Sequence, residues 1–198
     1  WQDLPAMRIN QRKRITRNPE GWNSKDISAK AWYWFTPDTI YFAADVTDDD
    51  PIYNPHIPHQ MWKGDAFELY IGLGGPTKRA VLDKSVEFQI GVAPTTDSGE
   101  PQAFWFHEDV LLEQATVKAK KTEKGYTIEA EIPVAEFAEQ GFMFKPGMII
   151  GLDLAVDDLD KDDWAPAGNI PGRAMMWNGT GQNWINPSGW GMGVLKEY

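Results

Sequence analysis

Two kinds of side chain in this sequence have the types and spacing to do chemistry: indoles set beside carboxylates, and carboxylates crowded on one another. Trp62-Lys-Gly-Asp-Ala-Phe-Glu68 places an indole six residues ahead of an acid. The strand pattern that follows alternates Phe67, Leu69 and Ile71 with Glu68 and Tyr70, and the next alternates Val86, Phe88 and Ile90 with Glu87 and Gln89. Successive strand residues point to opposite faces, so one face of each is core and the other is decorated. Ile149–Asp157 repeats the pattern with Leu152, Leu154 and Val156 inward and Asp153 outward. If these strands share a sheet, Glu68, Tyr70, Glu87, Gln89 and Asp153 form a polar shelf, the mixture that sugar hydroxyls select because each both donates and accepts. An ordinary solvated sheet face is the alternative.

The chain carries ten tryptophans in 198 residues. An indole combines a flat apolar face with one N–H donor, and an excess of them asks for a flat ligand such as a sugar ring, although most must serve as core. The carboxylate clusters are Asp48-Asp-Asp50 and Asp158-Leu-Asp160-Lys-Asp162-Asp163. The second begins like an EF-hand loop but lacks Gly at the sixth position and Glu at the twelfth, so it is no EF-hand. Asp48, Asp50, Asp158, Asp160 and Asp162 remain candidates for an irregular calcium site, with a solvated acidic loop as the other reading. His56 and His59 have the spacing of a metal pair but no third ligand nearby, and read as loop residues.

The elements that must position these groups are short strands. Period-two alternation dominates, punctuated by Gly, Pro, Asn and Asp, and about ten strands are expected. Thr122–Gly125 reads as a hairpin turn with Gly125 at positive φ. One short helix is expected over Val134–Gln140, entered through Pro133 and stopped at Gly141. The fold expected is all-β: a two-sheet antiparallel β-sandwich of jelly-roll type, in one domain over 1–198. Residues 1–30, with Arg8, Arg12, Lys13, Arg14 and Arg17, read as an irregular basic lead-in pairing with the acidic body or solvated.

Composition removes several classes of function. Lys plus Arg number 19 against 29 Asp plus Glu, a net charge of -10 that repels phosphate backbones and anionic membrane surfaces. The absence of cysteine excludes disulfides, thiolate metal sites and cysteine nucleophiles. No apolar run is long enough to span a bilayer as a helix.

Taken together, Asp38–Asp48, Trp62–Tyr70, Asp157-Asp158, Trp177 and Pro187–Leu195 resemble, in order and spacing, the family 9 carbohydrate-binding modules. The resemblance implies a β-sandwich appended to a secreted polysaccharide-degrading enzyme, binding a polysaccharide or oligosaccharide without catalysis, sometimes with calcium. It implies Trp62 and Trp177 as the stacking pair and Glu68 as a hydroxyl acceptor. Gln89 and Gly91 stand where better-known members have Arg and Asn. Two rivals remain. A glycoside hydrolase or lyase could use Glu68 paired with Glu87 or Asp153. A haem-binding sandwich could use Met61, Met175 or Met176 with a histidine as axial ligands.

Overall fold

The computed structural model describes residues 1, 3–75, 78–163 and 170–197. Among these, thirteen strands form two sheets in which every pairing is antiparallel. The smaller sheet orders its strands β1 (Met7–Ile9), β3 (Ile27–Phe35), β4 (Thr39–Asp48), β10 (Gly125–Pro133) and β9 (Thr116–Thr122). The larger runs β2 (Ile15–Arg17), β12 (Arg173–Met176), β11 (Ile149–Asp158), β5 (Ala66–Gly72), β6 (Glu87–Ala93), β7 (Gln102–Trp105) and β8 (Val110–Leu111). β13 (Gly191–Val194) shares an edge of β11 with β12.

The alternation in the sequence decides which faces meet. Phe67, Leu69, Ile71, Phe88, Ile90, Leu152, Leu154 and Val156 of the larger sheet pack on Ile40, Phe42, Ala44, Val46, Tyr126, Ile128 and Ile132 of the smaller, in one continuous core. The β-sandwich expected from the sequence is therefore the fold. The Thr122–Gly125 hairpin forms with Gly125 at φ +145°, where an added Cβ would collide with the Val46 carbonyl.

Two expectations change. The helix over Val134–Gln140 shrinks to a 3₁₀ turn at Val134–Glu136. Seven residues do not offset the cost of helix nucleation, and burial of Val134 and Phe137 holds the turn instead. The lead-in is not irregular throughout: Met7–Ile9 joins the smaller sheet and Ile15–Arg17 the larger, so one segment stitches both layers. Strands of three residues are too short to show alternation. No helix among the described residues is long and apolar enough to cross a membrane.

Candidate functional site

The outer face of the larger sheet carries the polar shelf. Register places Asp153, Tyr70 and Gln89 in one cross-strand row, and Ala155, Glu68 and Gly91 in the next. Glu68 is half-buried; its Oε2 accepts the Tyr70 hydroxyl at 2.9 Å and the Gln89 amide, and the Asp157 carboxyl lies beside it. Arg17 Nη2 lies 3.3 Å from Asp157 Oδ1, and the guanidinium also donates to the carbonyls of Trp62 and Arg173. The half-buried Trp62 sits on a 3₁₀ turn, Pro58–Lys63, with Arg17 5.7 Å and Lys63 Nζ 5.4 Å from the centre of its ring. Cations over an indole face hold its orientation.

Burial raises the Glu68 carboxyl above the usual carboxylate range, although the Tyr70 and Gln89 donors draw it back. Asp157 is pushed well up by burial and by Glu68, with Arg17 opposing. The network is thus a pair of acids held by one guanidinium, one phenol and one amide. Glu87, Asp153 and Asp157 are 2%, 0% and 1% exposed, so Glu68 is the shelf acid with most access to solvent.

The structure brings Trp62, Glu68, Tyr70 and Gln89 together, with Arg17 and Asp157 as members that the sequence reading did not select. The other three candidates lie elsewhere or are closed. Trp177 is on the opposite face: its ring packs on the core, filling the space a Cβ on Gly191 opposite Leu152 would take, and lines a cavity of about 590 Å³ with Tyr33, Ile150 and Leu152. It cannot sandwich a ligand with Trp62 across the thickness of a sheet. Glu87 is buried and takes Arg79 Nη2 at 3.1 Å and the Asp83 N–H at 2.6 Å. Asp153 is 0% exposed and filled by donors of its own chain. The acid pairs that a hydrolase would need, Glu68 with Glu87 or Asp153, are therefore occupied at one member each. Met61, Met175 and Met176 are buried in apolar clusters, which corrects their reading as haem ligands.

A different set of acids gathers at the end of β4, β5 and β11. Oxygens of Asp48, Asp65 and Asp158 lie within 4.8 Å of one another, and so do those of Asp26, Asp49 and Asp160. Asp48 Oδ2, Asp158 Oδ1 and Asp160 Oδ1 are buried without a hydrogen-bond partner, as is the nearby Tyr126 hydroxyl. Burial lifts Asp48 to about 7 and Asp160 to about 6, and pushes Asp65 and Asp158 well up, with neighbouring carboxylates adding to each. Orphaned hard oxygens in a buried like-charged group are what a calcium ion would neutralise, so the residues fit one. Of the acids named from the sequence, Asp48 and Asp158 meet in the first group and Asp160 joins the second. Asp50 instead accepts Lys161 N–H and Nζ at 3.1 and 3.0 Å, and Asp162 is exposed and outside both groups.

The sequence pattern of carbohydrate family 9 binding domain-like proteins matches residues 2–198. The chain belongs to that family. Two solved family 9 carbohydrate-binding modules from Caldicellulosiruptor kristjanssonii share its fold. One, in complex with cellotriose, has a TM-score of 0.69 at 16% identity, covering 100% of this chain and 85% of that one. The other, in complex with glucose, has a TM-score of 0.67 at 18% identity, covering 100% and 87%. No curated protein matches the chain.

Sequence reasoning missed two indoles on the shelf side of this family 9 module. Trp190 is 7% exposed and its ring lies 5.4 Å from that of Tyr70. Trp184 is 52% exposed, on the loop between β12 and β13. That loop crosses the shelf side: the Leu82 N–H bonds the Ile185 carbonyl at 2.9 Å, and Leu82 packs against Tyr70, Ala155, Met176 and Trp190. A loop tryptophan has no periodicity to reveal it. Asp65 was hidden for a related reason, since it lies inside the Trp62–Glu68 tract and its partners lie 17 and 93 residues away in sequence.

Proposed function

We propose that this family 9 module binds a neutral carbohydrate on the outer face of its larger sheet, with the sugar stacked on Trp62 and a hydroxyl bonded to Glu68. The observation that carries this reading is the pairing of a half-exposed, cation-held indole with the shelf acid that keeps access to solvent. Glucose oligomers linked as in cellotriose are the first ligands to try, because two structural relatives are complexes with cellotriose and glucose. The family is one of binding domains, so the mechanism is recognition: the indole excludes water from one sugar face while the fixed acid selects hydroxyl geometry. In a secreted enzyme, such a module raises the local concentration of an attached catalytic domain at its polysaccharide. A calcium ion held by Asp48, Asp65 and Asp158 would brace the end of β11 that carries Asp157 and the start of β5, just after the turn that carries Trp62. A glycan array followed by calorimetry with the best hit tests the reading. Saturable binding of neutral oligosaccharides, little changed by salt, is expected. Binding confined to acidic polymers and lost in salt would contradict it.

A further inference from the structure

The outer face of the smaller sheet is aromatic at one end. Tyr33, Phe35, Ile40 and Phe42 turn to the core, which sends Trp32, Trp34, Tyr41 and Ala43 outward. Register sets Trp34, Tyr41 and Glu131 in one row and Trp32, Ala43 and Glu129 in the next. The row beyond them, Lys30, Asp45 and Thr127, is wholly polar. The chain ahead of β1 folds over the aromatic end. The Leu4 carbonyl accepts the Trp32 indole N–H at 3.2 Å, and the Leu4 N–H donates to the Trp1 carbonyl at 2.9 Å. The Trp1 indole N–H in turn donates to Glu129 Oε1 at 2.6 Å. With this overlay Trp32 is 9% exposed, while Trp34 and Tyr41 stay half-buried and Trp1 is 40% exposed. An open pocket of about 550 Å³ results, lined by Trp1, Asp3, Leu4, Trp34, Thr36 and Tyr41.

We propose that this pocket is a second carbohydrate site, taking a neutral oligosaccharide whose ring stacks on Trp34 and Tyr41 while its hydroxyls bond Asp3 and Glu129. This rests on the reading that the module binds neutral carbohydrate, and adds a site on the side of the sandwich away from Trp62. The volume falls in the range of roughly 300–1,000 Å³ of small-molecule sites, and the lining has their composition, flat apolar faces with a few polar groups. Aromatic rings on adjacent strands meet the C–H face of a sugar, and the two acids accept from its hydroxyls. Glu129 keeps capacity for one, because a carboxylate offers about four lone-pair sites and the Trp1 indole takes one of them. A purely apolar ligand would strip water from these acids without pairing them. A quaternary ammonium ion is held best when aromatic faces surround it, whereas this pocket is open along the sheet, as a chain that continues past it requires. A short oligosaccharide cannot reach both sites through two packed sheets, so the module holds two sugar chains at once, one on each outer face.

The test is calorimetry of the whole chain with cellotriose, using Trp34→Ala, Tyr41→Ala, Trp62→Ala and the double variant of Trp34→Ala with Trp62→Ala, with melting curves alongside. The parent is expected to take up about two ligands per chain in two independent phases. Trp34→Ala and Tyr41→Ala should each weaken the same phase at least about tenfold and leave the other within about twofold. Trp62→Ala should remove the other phase, and the double variant both. Should Trp34→Ala and Tyr41→Ala not fold, Asp3→Ala changes only an exposed side chain of the pocket and is expected to weaken the same phase. Both phases retained in all three pocket variants would overturn the proposal. So would the loss of all binding in Trp62→Ala, an outcome that leaves the site on the larger sheet standing. If Trp34→Ala alone abolishes all binding, the site on the larger sheet fails and this one stands. Uptake of tetramethylammonium in place of cellotriose by Trp62→Ala would make the pocket a cation cage and overturn the proposal. A parent that binds no neutral oligosaccharide overturns both sites.

Discussion

Alternation identifies the side of the sheet a residue faces, and says nothing of what covers it there. Glu68, Glu87, Gln89 and Asp153 all point outward as their pattern demands, yet loops folded over the sheet leave Glu87 and Asp153 serving backbone amides while Glu68 keeps access to solvent. Trp177 was misplaced for another reason. It alternates with Met175 and Met176, so its own strand pattern already sends it to the core with Met175, and only positional matching to a known family pulled it to the ligand side. Glu68→Gln is predicted to separate binding from stability. The substitution keeps the size of the group but removes the charge that the Tyr70 and Gln89 donors serve, and places an amide donor among them. Sugar affinity is expected to fall by about 1–3 kcal/mol, as when a hydrogen bond to a charged group is lost, with the unfolding temperature nearly unchanged because burial already disfavours this charge. Unaltered affinity by calorimetry would remove Glu68 from the site.

Long strands and the hairpin between them were legible because each carries several turns of a period-two pattern. The three-residue strands of the lead-in and the loop from β12 to β13 were not, since their positions follow from partners far away in the chain: Arg8 opposite Lys30, Ile15 opposite Met175, Asn178 on Asp153. Arg17 shows the consequence. As a sequence feature it was one of five basic residues, and in the fold it is the guanidinium linking Trp62 to the shelf acids. The hairpin joining β9 and β10 gives the sharpest element-level prediction. Gly125 combines a positive φ with contact on the Val46 carbonyl, so Gly125→Ala should cost about 1–3 kcal/mol or more, read as a lower midpoint in urea, with sugar affinity retained in the folded fraction. A midpoint equal to the parent's would show that the turn tolerates a side chain.

For the molecule as a whole, an excess of acid is concentrated where three strands end. Asp48, raised to about 7 in the fold against an ordinary value of 3.8, binds more protons folded than unfolded between those limits. Asp160 does the same up to about 6. In chelator the protein is therefore expected to lose stability as pH rises from about 4 to 7, the reverse of the usual carboxylate effect. Calcium that binds only the folded state should raise stability most at the upper end of that range, by about 2.7 kcal/mol at a hundredfold excess over Kd, read as a higher melting temperature. Melting curves that coincide with calcium and with chelator at every pH would leave the cluster without an ion. Carbohydrate held on the outer face of the larger sheet, and not in the cavity lined by Trp177, makes opposite demands on two indoles. Calorimetric titration of Trp62→Ala and Trp177→Ala with the same oligosaccharide separates the two locations. Binding on the outer face entails a loss of about 2–4 kcal/mol of binding for Trp62→Ala with the fold intact, and for Trp177→Ala a lowered melting temperature with affinity retained. Loss of affinity in Trp177→Ala with none in Trp62→Ala would place the sugar on the other side of the sheet.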